Sequence, residues 1–238
     1  MSKRNVTEIL DSTYKIKQRI KQPDIPEDVI PLVKELIKFS LDNVCGLQLK
    51  WAFERAVDKL WSEKILFTVG AIDFRNLSGL NKYFELKKPK LGAHKQADAV
   101  LNEIARDAIK YYTKKSGGEA YRVGGDEFSV ILPKMTVEEA TPVMESIRKK
   151  ADEIVKKHGL GKEPHPKHDY LPTGAGGIDY GCADSAHCSS AEEIKSEADC
   201  QVLFSKKEFL QKIVSNQPNP ALWTWNEKNG CYQRTKNI

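Results

Sequence analysis

An α/β or α+β sandwich, with helices packed on a central sheet, is the fold class this sequence predicts. Three observations carry it. Apolar residues recur at helical spacing in several long stretches. A strand-length apolar run, Ile65-Leu66-Phe67-Thr68-Val69-Gly70-Ala71-Ile72, lies between two of them. The segment Gly124-Gly125-Asp126-Glu127 joins two short apolar runs in the manner of a β-hairpin.

Taken in order, residues 5–20 and 26–41 show helical spacing through Val6, Ile9, Leu10 and Tyr14, then Val29, Leu32, Leu36 and Ile37. Pro23 and Pro26 separate the two, and Pro31 falls in the first turns of the second, where proline is tolerated. A third helix is expected over 47–62. The apolar run that follows is a buried strand ending at Asp73. A helix over 76–86, a Lys/Pro/Gly loop at 87–92 and a helix over 94–115 come next, the last with Val100, Leu101, Ile104, Ala108 and Ile109 as its stripe. Strands at 119–123 and 128–132 flank the hairpin, whose tight turn is expected to need positive φ. A helix over 137–158, a Gly/Pro/His-rich loop, a glycine-rich strand at 173–180 and a helix over 191–213 complete the domain. Residues 214–238 read as an irregular tail anchored by Trp223 and Trp225. The division is therefore 1–40 as an N-terminal helical extension for dimer or regulatory contact, 41–213 as the main domain, and 214–238 as the tail. Trp51, Phe53 and Trp61 fit helix packing.

Composition narrows the class. With 40% hydrophobic and 30% charged residues, the chain can bury a real core. The net charge of +5 comes from lysines spread along helices, and no basic run is interleaved with aromatics, so no nucleic-acid partner is expected. The longest apolar stretch is a strand long, so no membrane insertion is expected. Met1-Ser2-Lys3-Arg4 leads into polar sequence without an apolar leader, which makes a cytoplasmic location the expectation. Five cysteines without regular spacing do not suggest a disulfide framework. His165, His168, Cys182, His187 and Cys188 have ligand chemistry but no finger spacing, and are read as loop residues.

Two acids stand where strands end: Asp73 closes the buried strand and Asp126 sits at the hairpin tip. A sheet that brings two such carboxylates together makes a hard oxygen site for Mg²⁺, completed by phosphates and water. The glycines beside Asp126 let a polyphosphate approach the backbone. On its own, Gly124-Gly125-Asp126 reads as a good turn and nothing more.

The hairpin Arg122-Val123-Gly124-Gly125-Asp126-Glu127-Phe128 resembles the signature of the GGDEF family of diguanylate cyclases. Further blocks follow in family order over roughly residues 40–210. Asp42-Asn43-Val44-Cys45-Gly46-Leu47, with Lys50 and Phe53, resembles DxLTGLxNRRxF. Asp73 and Asn81 have the spacing of DxDxFKxxN, and Ala93–Leu101 is similar to GHxxGDxxL. Thr173–Ile178 resembles TxSxGIA, and Ala198–Lys206 looks like ADxALYxAK.

The resemblance implies a palm-like nucleotidyl cyclase fold with a central, mainly antiparallel sheet. It implies that Asp73, the Phe74 carbonyl and Asp126 hold two Mg²⁺ ions (Mn²⁺ is the alternative), with Glu127 beside them. Asn81 and Asp98 would read the guanine edge of GTP, Lys206 would bind the β/γ-phosphates, and Gly124 and Gly125 would border the substrate. The implied reaction joins two GTP into cyclic di-GMP across a homodimer. The sequence also departs from the family. Arg75 stands where the second aspartate of DxDxFK would be, with Leu77 and Ser78 for the phenylalanine and lysine. Ala93 and Ala97 replace glycines, and Leu210 stands where an arginine usually follows the helix lysine. Lys115 and Gly118 occupy the positions of the RxxD product-inhibition motif, so no feedback site of that kind is expected. Two alternatives stay open: a module that binds GTP and signals through a partner, and a related cyclase making another cyclic nucleotide.

Overall fold

The computed structural model describes residues 41–75, 77–87, 92–160, 177–216, 220, 223–226 and 231–234. The expected helices at 5–20 and 26–41, most of the 87–92 loop, and residues 173–176 lie outside them. The main sheet runs β1 (Gln48–Leu49), β3 (Glu119–Arg122), β4 (Glu127–Pro133), β2 (Phe67–Phe74) and β5 (Ile178–Asp184) in spatial order. Only the β1–β3 pair is parallel.

Side chains alternate across the sheet, so β2 divides its residues between two cores. Phe67, Val69 and Ala71 face helices α1 (Lys50–Ser62) and α6 (Ala191–Ser215). Ile72 and Phe74 face the other layer, formed by α2 (Leu77–Lys87), α3 (Ala93–Ile104), α4 (Tyr111–Lys115) and α5 (Val137–Lys157). A π-helical turn, Ala105–Lys110, joins α3 to α4, so the helix expected over 94–115 is continuous but locally widened. Its sequence, ARDAIK, contains no glycine or proline that would announce the change.

Local signals set the helix starts. Thr136 and Glu139 close a capping box on α5. Ser190 caps α6 by accepting from the Glu193 N–H at 3.1 Å. Asp184, fully buried at the end of β5, accepts from the N–H groups of Val137, Ala186 and His187 and from the His187 ring, which ties α5 to the sheet.

Four expectations are corrected. The strand expected at 173–180 runs Ile178–Asp184, its far end held by the buried Asp184, which is bonded inside the fold. Neither Gly124 nor Gly125 has positive φ. A Cβ at Gly124 would meet the exposed Glu127 side chain, which can swing aside, while Gly125 has open space. Part of the tail is regular rather than irregular: β6 (Trp223–Asn226) and β7 (Cys231–Arg234) pair as antiparallel strands. Trp223 and Trp225 pack, with Phe209 and Ile213, on Leu210 and Val214 of α6. Trp51 is 46% exposed and does not join the packing, whereas Phe53 is buried and Trp61 partly so.

Helix α6 lies on β5 at backbone distance. A Cβ at Gly181 would overlap the Ala198 carbonyl and the Val202 amide, which cannot swing away as a side chain can. Gly181→Ala is therefore expected to cost about 1 to 3 kcal/mol of stability, as overpacking does. Urea denaturation of parent and variant measures it, and an unchanged midpoint would contradict the contact.

Candidate active site

The antiparallel register places three carboxylates at one level. Asp73 on β2 is opposite Glu127 on β4 and opposite Asp179 on β5. Directly opposed residues share a face, so all three point toward the α1/α6 layer. The hairpin tip is docked onto the same strand end, because the Phe74 N–H donates to the Asp126 carbonyl at 2.9 Å.

Arg122 holds that tip. Its guanidinium donates to the Gly125 carbonyl at 2.5 Å and the Gly124 carbonyl at 3.2 Å, and pairs with Asp42 at 2.8 Å. Asp42 also accepts from the N–H groups of Val44 and Cys45 and from the Cys45 thiol. Burial pushes the Asp42 carboxyl up, but the Cys45 and Arg122 hydrogen bonds outweigh it and hold the group below its ordinary value. It stays an anion, and the turn is stapled to the start of the domain.

Two cations answer the carboxylate row. Ile194, Ala198 and Val202 form the sheet-facing stripe of α6, and Lys206 is the next residue on it. A lysine on a buried stripe needs a counter-charge, and its Nζ lies 3.6 Å from Asp73 Oδ1. Arg75 pairs with Asp179 at 2.7 Å, and its guanidinium sits 3.8 Å from the centre of the Phe209 ring. Arg75 Nε and Asp179 Oδ2 are buried without a hydrogen-bond partner.

A cleft of about 470 Å³ opens in front of this row between α1 and α6. Phe53, Asp73, Glu127, Ser129, Val202 and Leu203 line it, and Lys50, Lys195 and Asp199 stand on its sides. Asn81 lies on α2, half-buried, and its Oδ1 is buried with no hydrogen-bond partner. Asp98 is exposed on α3, which packs against α2, and His94 is exposed one turn earlier. The structure thus brings Asp73, Asp126, Glu127 and Lys206 together at the sheet end, with Gly124 and Gly125 beside them. Asn81 and Asp98 stand apart on the helices after β2. Sequence reasoning assigned no role to Arg122, Asp42 or Asp179, although an aspartate inside an apolar strand signals an internal partner. Among the described residues, no group of three or more His, Cys, Asp or Glu side chains is arranged to hold a metal ion. His165 and His168 lie outside the described residues, and His187 is engaged by Asp184.

Burial raises the Asp73 carboxyl from 3.8 to about 6; Lys206 opposes the rise, and the charges of Asp126 and Asp179 add to it. The folded protein thus holds this proton more tightly than the unfolded chain. Asp73 therefore favours folding most below pH 3.8, and that contribution is lost as pH climbs to about 6. Asp73→Asn removes the loss. Without divalent metal, the variant is expected to melt above the parent at about pH 8 and level with it at about pH 4. Thermal melts at both values check this, and a pH-independent difference would contradict it.

Comparison with known proteins fits this geometry. A family model described as diguanylate cyclase, GGDEF domain, matches residues 40–208. The GGDEF domain of DgcB from Caulobacter crescentus, in complex with c-di-GMP, aligns at 20% identity and a TM-score of 0.56, over 72% of this chain and 89% of that one. A longer DgcB structure with its coiled coil aligns at 18% and 0.58, over 84% and 93%. The diguanylate cyclase SiaD of Pseudomonas aeruginosa, solved with its activator SiaC, aligns at 17% and 0.54, over 82% and 67%. At these identities the likeness speaks to the fold. A comparison with curated proteins gives no match. Among the described residues no helix is long and apolar enough to cross a membrane. With the family model spanning most of the sheet, both strand-end acids and the α6 lysine, the chain belongs to the GGDEF diguanylate cyclase family.

Proposed function

We propose that this chain is a diguanylate cyclase that condenses two GTP into cyclic di-GMP. The observation that carries the reading is the convergence of Asp73, the Asp126 hairpin and Lys206 at one end of the sheet, in front of an open cleft. The donor set fits a hard divalent cation. Burial, with a smaller contribution from the charges of Asp126 and Asp179, lets Asp73 retain its proton to about pH 6, and a cation held there would favour the ionised carboxylate. Asp73, the Phe74 carbonyl and Asp126 would hold Mg²⁺, two ions per site or Mn²⁺ in their place. The metal supplies neutralisation of the phosphates and activation of the attacking hydroxyl.

The protein's own groups position the rest. Lys206 places a positive charge beside Asp73, where a triphosphate entering the cleft meets it as a point charge. The orphaned Asn81 Oδ1 is an acceptor awaiting a donor, which the guanine edge provides. Asp98 takes the remaining guanine N–H groups. Each 3′-hydroxyl attacks the α-phosphate of the other GTP, a new P–O bond forms, and pyrophosphate leaves with the broken one. Because one domain holds one GTP, two chains must face each other.

A second reading rests on a specific observation. Leu210, which stands where the family usually has an arginine, is buried under the Trp223/Trp225 hairpin and offers no phosphate contact. On that reading the domain binds GTP and signals through a partner without turnover.

Incubating the chain with GTP and Mg²⁺ and resolving the products by chromatography separates the two. The expected products are one cyclic di-GMP and two pyrophosphates per pair of GTP. Asp126→Ala should lower the rate at least about 100-fold with the fold retained, since it removes a carboxylate from a surface turn. GTP binding without any cyclic di-GMP would overturn the cyclase in favour of the binding module.

A further inference from the structure

Lys206 is 34% exposed and meets Asp73 at 3.6 Å, a loose contact for a long and flexible side chain. Its place over the carboxylate row therefore depends on where α6 lies. Upstream, Gly181 lets the helix rest on β5. Downstream, within one turn of Lys206, Phe209 receives the Arg75 guanidinium on its ring. Arg75 leaves β2 two residues after Asp73, and its partner Asp179 is the register neighbour of Asp73 on β5. The three residues thus join β2, β5 and α6 at the level of the site. The charged pair is nearly closed to solvent, 12% exposed for Arg75 and 1% for Asp179, and Phe209 is partly buried. A guanidinium so enclosed, stacked and paired is not free to take a phosphate. Phe209 packs in turn on the Leu210/Val214 cluster, as do the two tryptophans of the hairpin.

We propose that Arg75, Asp179 and Phe209 form a positioning clamp that holds Lys206 over Asp73, where the triphosphate is bound. This rests on the nucleotide-binding reading above and names residues for it that make no contact with the substrate. The clamp also explains the departure at position 75. An aspartate there would leave Asp179 buried beside another anion, whereas arginine neutralises it and reaches α6.

The test is a double-mutant cycle on binding of a non-hydrolysable GTP analogue with Mg²⁺, measured by calorimetry. Phe209→Leu keeps apolar volume and removes the stack. It is expected to weaken binding by about tenfold in the parent chain and by less than about twofold in a Lys206→Met background, because the clamp acts through that lysine. Phe209→Tyr should restore parental affinity. Where Phe209→Leu fails to fold, Arg75→Lys serves in the same cycle, keeping the charge for Asp179 and losing the planar face. Equal losses in both backgrounds, or no loss in a folded variant, would overturn the clamp alone. A parent chain that does not bind the analogue would overturn the nucleotide reading and the clamp with it.

Discussion

The register of β2 against its two neighbours is the constraint on which the rest of this domain depends. By setting Asp73 opposite both Glu127 and Asp179, it concentrates negative charge at one end and one face of the sheet. Such a row is costly in a half-buried place, and the fold offsets it with cations brought from elsewhere. Lys206 arrives on α6 and Arg75 on the strand end itself. The first pairing is open and loose; the second is closed and stacked. That difference in exposure separates a charge available to a ligand from a charge committed to architecture.

Packing supplies the precision. Two apolar layers clamp the sheet, and α6 can approach only because Gly181 presents no side chain. The hairpin tip is not free either: Arg122 gathers its carbonyls and Asp42 holds Arg122. The segment that carries Asp126 is thus tied to residues eighty positions earlier, and rigid presentation of a turn is what a positioned carboxylate requires.

Much of this was legible in the residues. The apolar run before Asp73, the helical stripe through Leu101 and Ile104, and the helix expected over 137–158 all state their structure locally. The mainly antiparallel sheet and a shared site for Asp73 and Lys206 came from the ordered family blocks rather than from local pattern; the strand order and their direct contact came from the structure. What stayed hidden was non-local. Asp179 looks like the end of a strand until Arg75 is seen across from it, and Leu210 looks like a lost contact until the Trp223–Trp225 hairpin covers it. The turn glycines misled because Gly-Gly suggests positive φ, whereas neither Gly124 nor Gly125 adopts it. The π-helical turn at Ala105–Lys110 has no composition that sets it apart.

The central claim is that Asp73 and Asp126 form one metal-dependent nucleotide site. Electron paramagnetic resonance of Mn²⁺ titrated into the chain, with and without a non-hydrolysable GTP analogue, tests it most directly. The account predicts nucleotide-dependent Mn²⁺ binding with a spin-coupled pair of ions, lost when either Asp73 or Asp126 becomes asparagine. Mn²⁺ binding that is indifferent to the nucleotide and unchanged in both variants would contradict it.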